Sequence, residues 1–241
     1  VPQGRSKFRF DDPEMFLATR PGGRRRPNLF SALDDEVLAS FKAMCSKTKF
    51  ETGQLLFSQE DEHSYIYIII DGLIQTYYVA QTGREVTLGY WSAGDLVGGP
   101  DIFGGNRHVW SAVAVQPSKA LAIAGPALQA FALVNPSLSN WLVDALGFKL
   151  RWLSVLFQIQ GTDRVEDRLA KLLLLLGEHF GERQGKGVLI TTKISQSNLG
   201  SMVGASRQWT NRALRRMHEK GLLEFQNRFM LLSNPDAIRE Q

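Results

Sequence analysis

Arg207, Gln208, Asn211, Arg212 and Arg215 recur at intervals of one, three and four residues, so on a helix they share one face. Their chemistry is directional hydrogen bonding to flat polar edges. An arginine fork donates two parallel bonds to guanine, while a glutamine or asparagine amide exchanges a donor and an acceptor with adenine. On the opposite face Thr210, Ala213, Leu214 and Met217 fall at i, i+3, i+4 and i+7, a stripe suited to burial. Ser195, Gln196 and Ser206 stand at two helix starts, where hydroxyls and unpaired N–H groups suit phosphate. The set points to a reader of double-stranded DNA. Trp209 either stacks on sugar or packs against a neighbouring element, and packing is the expectation.

Such side chains act together only if their helix is held at a fixed angle to a second one. Ser195 caps a helix over 196–203, Gly204-Ala205-Ser206 makes a three-residue turn, and a second helix runs from Arg207 to Lys220, stopping at Gly221. This is helix-turn-helix spacing. Leu222 to Leu232 reads as a hairpin turning at Gln226-Asn227-Arg228, the position of a wing beside the second helix. Upstream, a hinge at Gly161-Thr162-Asp163, with Thr162 or Asp163 as cap, opens an amphipathic helix to about Phe180. A polar Gly-rich turn over Gly181–Gly187 and a short strand over Val188–Thr191 follow.

The first half has a different period. A helix over Leu33–Met44, opened by Ser31, precedes short β-rich runs over 54–58, 65–70, 73–79, 85–91, 109–115 and 120–123. Gly72, Gly83 and Gly94 fall eleven residues apart, which suits antiparallel strands folding back and forth rather than βαβ crossovers. From Ser137 to about Gln160 a helix carries apolar residues on more than one stripe. One face packs on its own domain, and the other is left for a second copy, as in a parallel dimer, or for a buried core.

The chain has 241 residues, 44% hydrophobic and 22% charged, an ordinary globular composition that excludes wholesale disorder. Its net charge of +4 is unevenly spread. Residues 1–26 and 191–241 each carry an excess of four positive charges, and the segment between them is acidic. The Arg24-Arg25-Arg26 run beside Pro21-Gly22-Gly23 reads as a solvated basic leader. No apolar run approaches membrane-spanning length and no charged-then-apolar leader opens the chain at Val1, so a cytoplasmic protein is expected. The single cysteine, Cys45, excludes an intrachain disulfide and a thiolate metal cage, and it reads as an apolar filler. No metal site or certain cofactor is expected.

The glycine-punctuated β-roll, the long central helix, the hinge and the string Gly204-Ala205-Ser206-Arg207-Gln208-Trp209-Thr210-Asn211-Arg212 together resemble the Crp/Fnr family of bacterial transcription regulators. The resemblance implies an α+β fold. Residues 1–29 are then a leader, 30–135 an antiparallel, jelly-roll-like β-roll that senses an effector, 136–161 a dimerisation helix, and 162–241 a winged helix-turn-helix domain. It also implies a homodimer on a palindromic operator, with RNA polymerase as a further partner where the regulator activates. Arg207, Gln208 and Arg212 take the family's three base-reading positions, and Gln208 replaces the glutamate of its best-known members.

The effector position departs further. Cyclic-nucleotide members carry a Gly-Glu pair for the ribose and an Arg-Ser pair for the cyclic phosphate; here the pairs are Gly98-Gly99 and Arg107-His108, followed by Val109. Arg107 and His108 can still hold an anion, but Gly99 offers no carboxylate. Trp152, Leu153 and Ser154 stand where the central helix closes the family's pocket. Four readings follow: a metabolite other than cyclic AMP, no effector, a cyclic nucleotide, or a haem or redox sensor with His63 or His108 as axial ligand. Against an enzyme, there is no Gly-rich phosphate loop ending in Lys, no serine nucleophile elbow and no His-Glu-x-x-His helix. A ligand-binding module acting through protein partners is the remaining class, and it lacks the salt-sensitive DNA affinity of a DNA reader.

Overall fold

The computed structural model describes residues 27–162 and 164–239. The basic leader through Arg26, and the capping role expected of Asp163, lie outside the described residues. The chain forms two compact units that divide within one helix, at Leu150 and Arg151.

The first unit opens with two short helices where one was expected. Helix α1 (Leu29–Ala32) is capped by Asn28, and α2 (Asp35–Met44) by Asp34, whose carboxylate accepts from the Val37 N–H at 2.9 Å. Asp34 displaces Ser31 as the start of the longer helix. It is followed by Asp35 and Glu36, three acidic groups at the positive helix end, whereas Ser31 Oγ only donates back to Asn28 O.

Eight strands then build two antiparallel sheets. They are β1 (Ser46–Phe50), β2 (Leu55–Phe57), β3 (Tyr65–Asp71), β4 (Ile74–Val79), β5 (Glu85–Trp91), β6 (Leu96–Val97), β7 (Ser111–Ala114) and β8 (Ser118–Ala124). The sheet orders are β1-β8-β3-β6 and β2-β7-β4-β5. The expected runs all become strands, and β1 and β6 are additions. The turns at Gly72, Gly83 and Gly94 all have positive φ. At Gly72 a Cβ would run into Ser118, whose hydroxyl accepts from the Leu73 N–H and so locks the β3–β4 turn to the start of β8.

Helices α3 (Gly125–Val134) and α4 (Pro136–Thr162) follow, the second matching the long central helix. Ile66 and Ile68 of β3, Leu121 and Ile123 of β8, Phe41, Leu128, Leu138 and Trp141 form the core of this unit. Each large apolar side chain so buried contributes roughly 1.5–3 kcal/mol. Cys45 lies half-buried beside it, with Sγ donating to Phe41 O and burial raising the thiol to about 11, as suits a filler rather than a nucleophile.

The second unit is α5 (Val165–Phe180), β9 (Gly181–Gln184), β10 (Gly187–Ile190), α6 (Gln196–Val203), α7 (Arg207–Glu219), β11 (Leu223–Gln226), β12 (Phe229–Leu232) and α8 (Pro235–Arg239). Its sheet order is β11-β12-β10-β9. Arg164 is the N-cap of α5 and makes no side-chain cap bond. The expected Gly-rich turn over 181–187 is instead a β-hairpin, because β9 pairs with β10 from Gly181↔Ile190 to Gln184↔Gly187, leaving Gly185 at the turn. Leu169, Leu172, Leu173 and Leu176 of α5 are fully buried and carry the core of this unit.

Candidate functional site

The helix-turn-helix is built at close quarters. Ser195 Oγ accepts from the Asn198 N–H at 3.0 Å, Gly204 ends α6 in the left-handed region at φ 72°, and Ser206 Oγ accepts from the Trp209 N–H at 3.2 Å. The Ala205 N–H reaches Gly200 O at 2.8 Å, and Thr210 Oγ1 donates to Ser206 O at 3.0 Å. A Cβ at Gly200 would stand 2.8 Å from both Ala205 O and Thr210 Oγ1. Gly200 therefore lets α6 touch the turn and α7 directly. Spacing does not single it out, because close approach leaves no periodic mark.

Thr210, Ala213, Leu214 and Met217 are buried, as the stripe predicted. Arg207, Gln208, Arg212 and Arg215 are exposed with Ser195 and Ser206, while Gln196 and Asn211 are half-buried and bonded to one another, Asn211 Nδ2 donating to Gln196 Oε1 at 2.8 Å. Trp209 is half-buried and lines an open cleft with Arg212, Arg215 and Arg216, so its indole lies along the cationic face. Arg216 is held by Glu166 of α5 at 2.8 Å. Behind α7, His218 Nδ1 pairs with Leu223 O at 2.8 Å, tying the helix to the β11–β12 hairpin. That hairpin turns through Asn227 at φ 58°, a conformation asparagine tolerates, which matches the expected wing.

In the first unit, Gly98, Gly99 and His108 are buried together. The Gly99 N–H donates to His63 Nε2 at 3.1 Å, and Trp110 Nε1 donates to Gly98 O at 3.0 Å. His108 stacks on Phe57, ring centres 3.7 Å apart and 7° from parallel, and meets the His63 ring edge to face at 4.3 Å. The Nδ1 atoms of His63 and His108 are buried without hydrogen-bond partners. Burial, with His63 as a like charge beside it, pushes His108 down to about 4 against the pull of Asp61; burial also lowers His63, opposed by the charge of Asp101. Both imidazoles are neutral at pH 7. A side chain at Gly99 would start in contact with the His63 ring, 3.4 Å from Cβ to Cε1.

Arg107 and Val109 stay exposed, the guanidinium donating to Glu60 O at 2.6 Å. Trp152, Leu153 and Ser154 belong to the second unit. There Trp152 is buried with its ring 5.2 Å from that of His179, Leu153 is partly exposed and Ser154 is half-buried. His63 is the member of this cluster that spacing did not connect to Gly99. Among the described residues no group of three or more His, Cys, Asp or Glu is arranged to hold a metal ion, and no helix is long and apolar enough to cross a membrane.

Residues 47–135 match the cyclic nucleotide-binding domain and residues 167–241 the Crp-like helix-turn-helix domain. The chain is 27% identical over 214 residues to the CRP-like cAMP-activated global transcriptional regulator of Mycobacterium tuberculosis, covering 88% of this chain and 95% of that one. It is 25% identical over 194 residues to the fumarate and nitrate reduction regulatory protein of Escherichia coli, covering 80% and 77%. A CooA mutant from Carboxydothermus hydrogenoformans shares the fold, with a TM-score of 0.77 at 20% identity over 88% of this chain and 94% of that one. With the two domains in this order and matched along nearly the whole length of such regulators, the chain belongs to the Crp/Fnr family of DNA-binding, non-enzymatic transcription regulators.

Proposed function

We propose that this chain is a cytoplasmic homodimer that binds a palindromic operator through α7, and that it is controlled by a small molecule other than cyclic AMP or acts without one. In this reading residues 30–135 sense, 136–161 dimerise and 162–241 bind DNA. The observation that carries the DNA half is the exposed row Arg207, Gln208, Arg212 and Arg215 on a helix whose other face is buried. Dimerisation is supported by Val143, Leu150, Leu153 and Phe157 of α4, which are 70%, 68%, 37% and 80% exposed at steps of seven, three and four residues. Exposed apolar side chains at this spacing suit burial against a second copy of the helix.

The effector half rests on His63. Gly99 brings no carboxylate for a ribose hydroxyl, the His63 ring stands in van der Waals contact with the point from which a side chain there would start, and its Nε2 already accepts from the Gly99 N–H. Losing such a partner costs a nucleotide on the order of 1–3 kcal/mol. The alternative, a cyclic-nucleotide-dependent regulator, is favoured by the domain match and by the exposed Arg107, a cation available to a cyclic phosphate.

Selection of randomised duplex by the pure protein, with and without cyclic AMP in the same salt, tests both halves. An enriched palindrome that is indifferent to cyclic AMP is the expected result. Enrichment only with cyclic AMP would establish the alternative, and none in either arm would overturn a free, DNA-competent state.

A further inference from the structure

Carbonyls in the final turn of a helix have no intrahelical N–H to accept from, and where that turn is buried they need a donor from elsewhere. Met202 and Val203, the last two residues of α6, are buried. Gln160 Nε2 donates to Met202 O at 2.8 Å, and Arg168 Nη1 of α5 donates to Val203 O at 3.4 Å. Because Met202 O can only accept, it is the nitrogen end of the Gln160 amide that must face it. Gln160 lies just before the end of α4 at Thr162, so its bond passes over the segment between α4 and α5 and ties the central helix directly to α6.

The same stretch of α4 is fixed on one side and open on the other. Trp152, Val155, Leu156 and Ile159 are buried, the Trp152 ring lying 5.2 Å from that of His179 on α5, whereas Leu153 and Phe157 reach the surface. Residues 151–162 and helices α5 to α7 belong to one compact unit. A second copy covering Leu153 and Phe157 would therefore pair two segments that are each bonded to a reader.

We propose that Gln160 is a positioning residue for operator binding: by tying the paired part of α4 to α6, it sets the separation of the two α7 helices in the dimer. The inference rests on the homodimeric reading of α4 and the DNA reading of α7. Its signature is spacing, since one added base pair turns a half-site by roughly 35° about the duplex axis.

The test uses the full chain with Gln160→Met, which keeps the volume and removes the donor, and with Gln160→Glu, which sets a carboxylate against the Met202 carbonyl. Each is titrated on the palindrome recovered by selection, on that palindrome with one base pair added to or removed from its centre, and on a single half-site. A dimer whose readers are tied meets the altered spacings only by breaking the bond, and an untied one has nothing to break. The parent's preference for the native spacing should therefore shrink about three- to tenfold per protomer, the worth of one hydrogen bond, and about ten- to a hundredfold for the pair. Half-site affinity should stay as in the parent, which shows that the reader is folded. An unchanged spacing preference in both variants overturns the assignment. So does a half-site affinity that falls in step with the palindrome, which would make the bond a local support of α6. If the parent binds the half-site as tightly as the palindrome, the dimeric reading falls and this inference with it; if it binds no duplex, the DNA reading itself falls.

Discussion

The Gly99 N–H donates to His63 Nε2, so the backbone at Gly99 is held by the protein's own imidazole, 36 residues earlier in the chain. With His108 stacked on Phe57 against the same ring, an aromatic plug of neutral histidines occupies this corner of the β-roll.

The plug makes the first unit acid-sensitive. Both histidines have folded pKa values below the unfolded value of 6.5, so the stability they contribute is complete above pH 6.5 and is lost as pH falls toward about 4, where His108 titrates in the folded state. Thermal melting between pH 7 and 4.5 should show a loss on the order of 2 kcal/mol. His108→Phe, which keeps the stack on Phe57, should flatten that dependence; an unchanged slope would place the acid sensitivity elsewhere.

Arg207→Ala and Arg212→Ala should each cost about 1–3 kcal/mol of operator affinity and relax the preference at one base pair of each half-site. Competition binding against single-base operator variants measures both. If neither variant differs from the parent, α7 is not the reading helix.

Gly200→Ala should destabilise the second unit by about 1–3 kcal/mol, since the added methyl meets the Ala205 carbonyl and Thr210 Oγ1 at 2.8 Å. Urea dependence of amide hydrogen exchange in α6 and α7 is the measurement. Wild-type stability in this variant would mean that the α6–α7 contact yields easily.

Phe157→Glu should leave the protomer folded, because that side chain is 80% exposed, yet weaken self-association at least tenfold, about 1.4 kcal/mol. Sedimentation should then report a shift from twice the chain mass toward the chain mass. Persistence of the dimer would move its interface away from the α4 seam.

The parts legible in the sequence are those with a period or a cap. The α6 bounds, the buried stripe of α7 and the Asn227 turn follow from spacing and local chemistry, and they agree with the structure. Strand β1 (Ser-Lys-Thr-Lys-Phe) and strand β9 (Gly-Glu-Arg-Gln) escaped because polar strands exposed along most of their length have no apolar alternation to detect. Strand β6 is two residues long, and its identity comes wholly from pairing with β3. The break at Asp34 turned on a competition between two nearby caps. The contacts of Gly99 with His63, of Gln196 with Asn211, and of Gly200 with Thr210 are tertiary, and nothing in the spacing of those residues announces them.

The backbone contact at Gly200 has a mechanical meaning. Two helices separated by side chains can slide by repacking them, but at Gly200 α6 approaches Thr210 of α7 and the Ala205 carbonyl with no room for a methyl group, so the pair cannot change its crossing angle by small steps. Reader and support therefore turn as one stiff block. Any signal that alters DNA affinity must rotate or translate that block whole, rather than reshape the surface it presents.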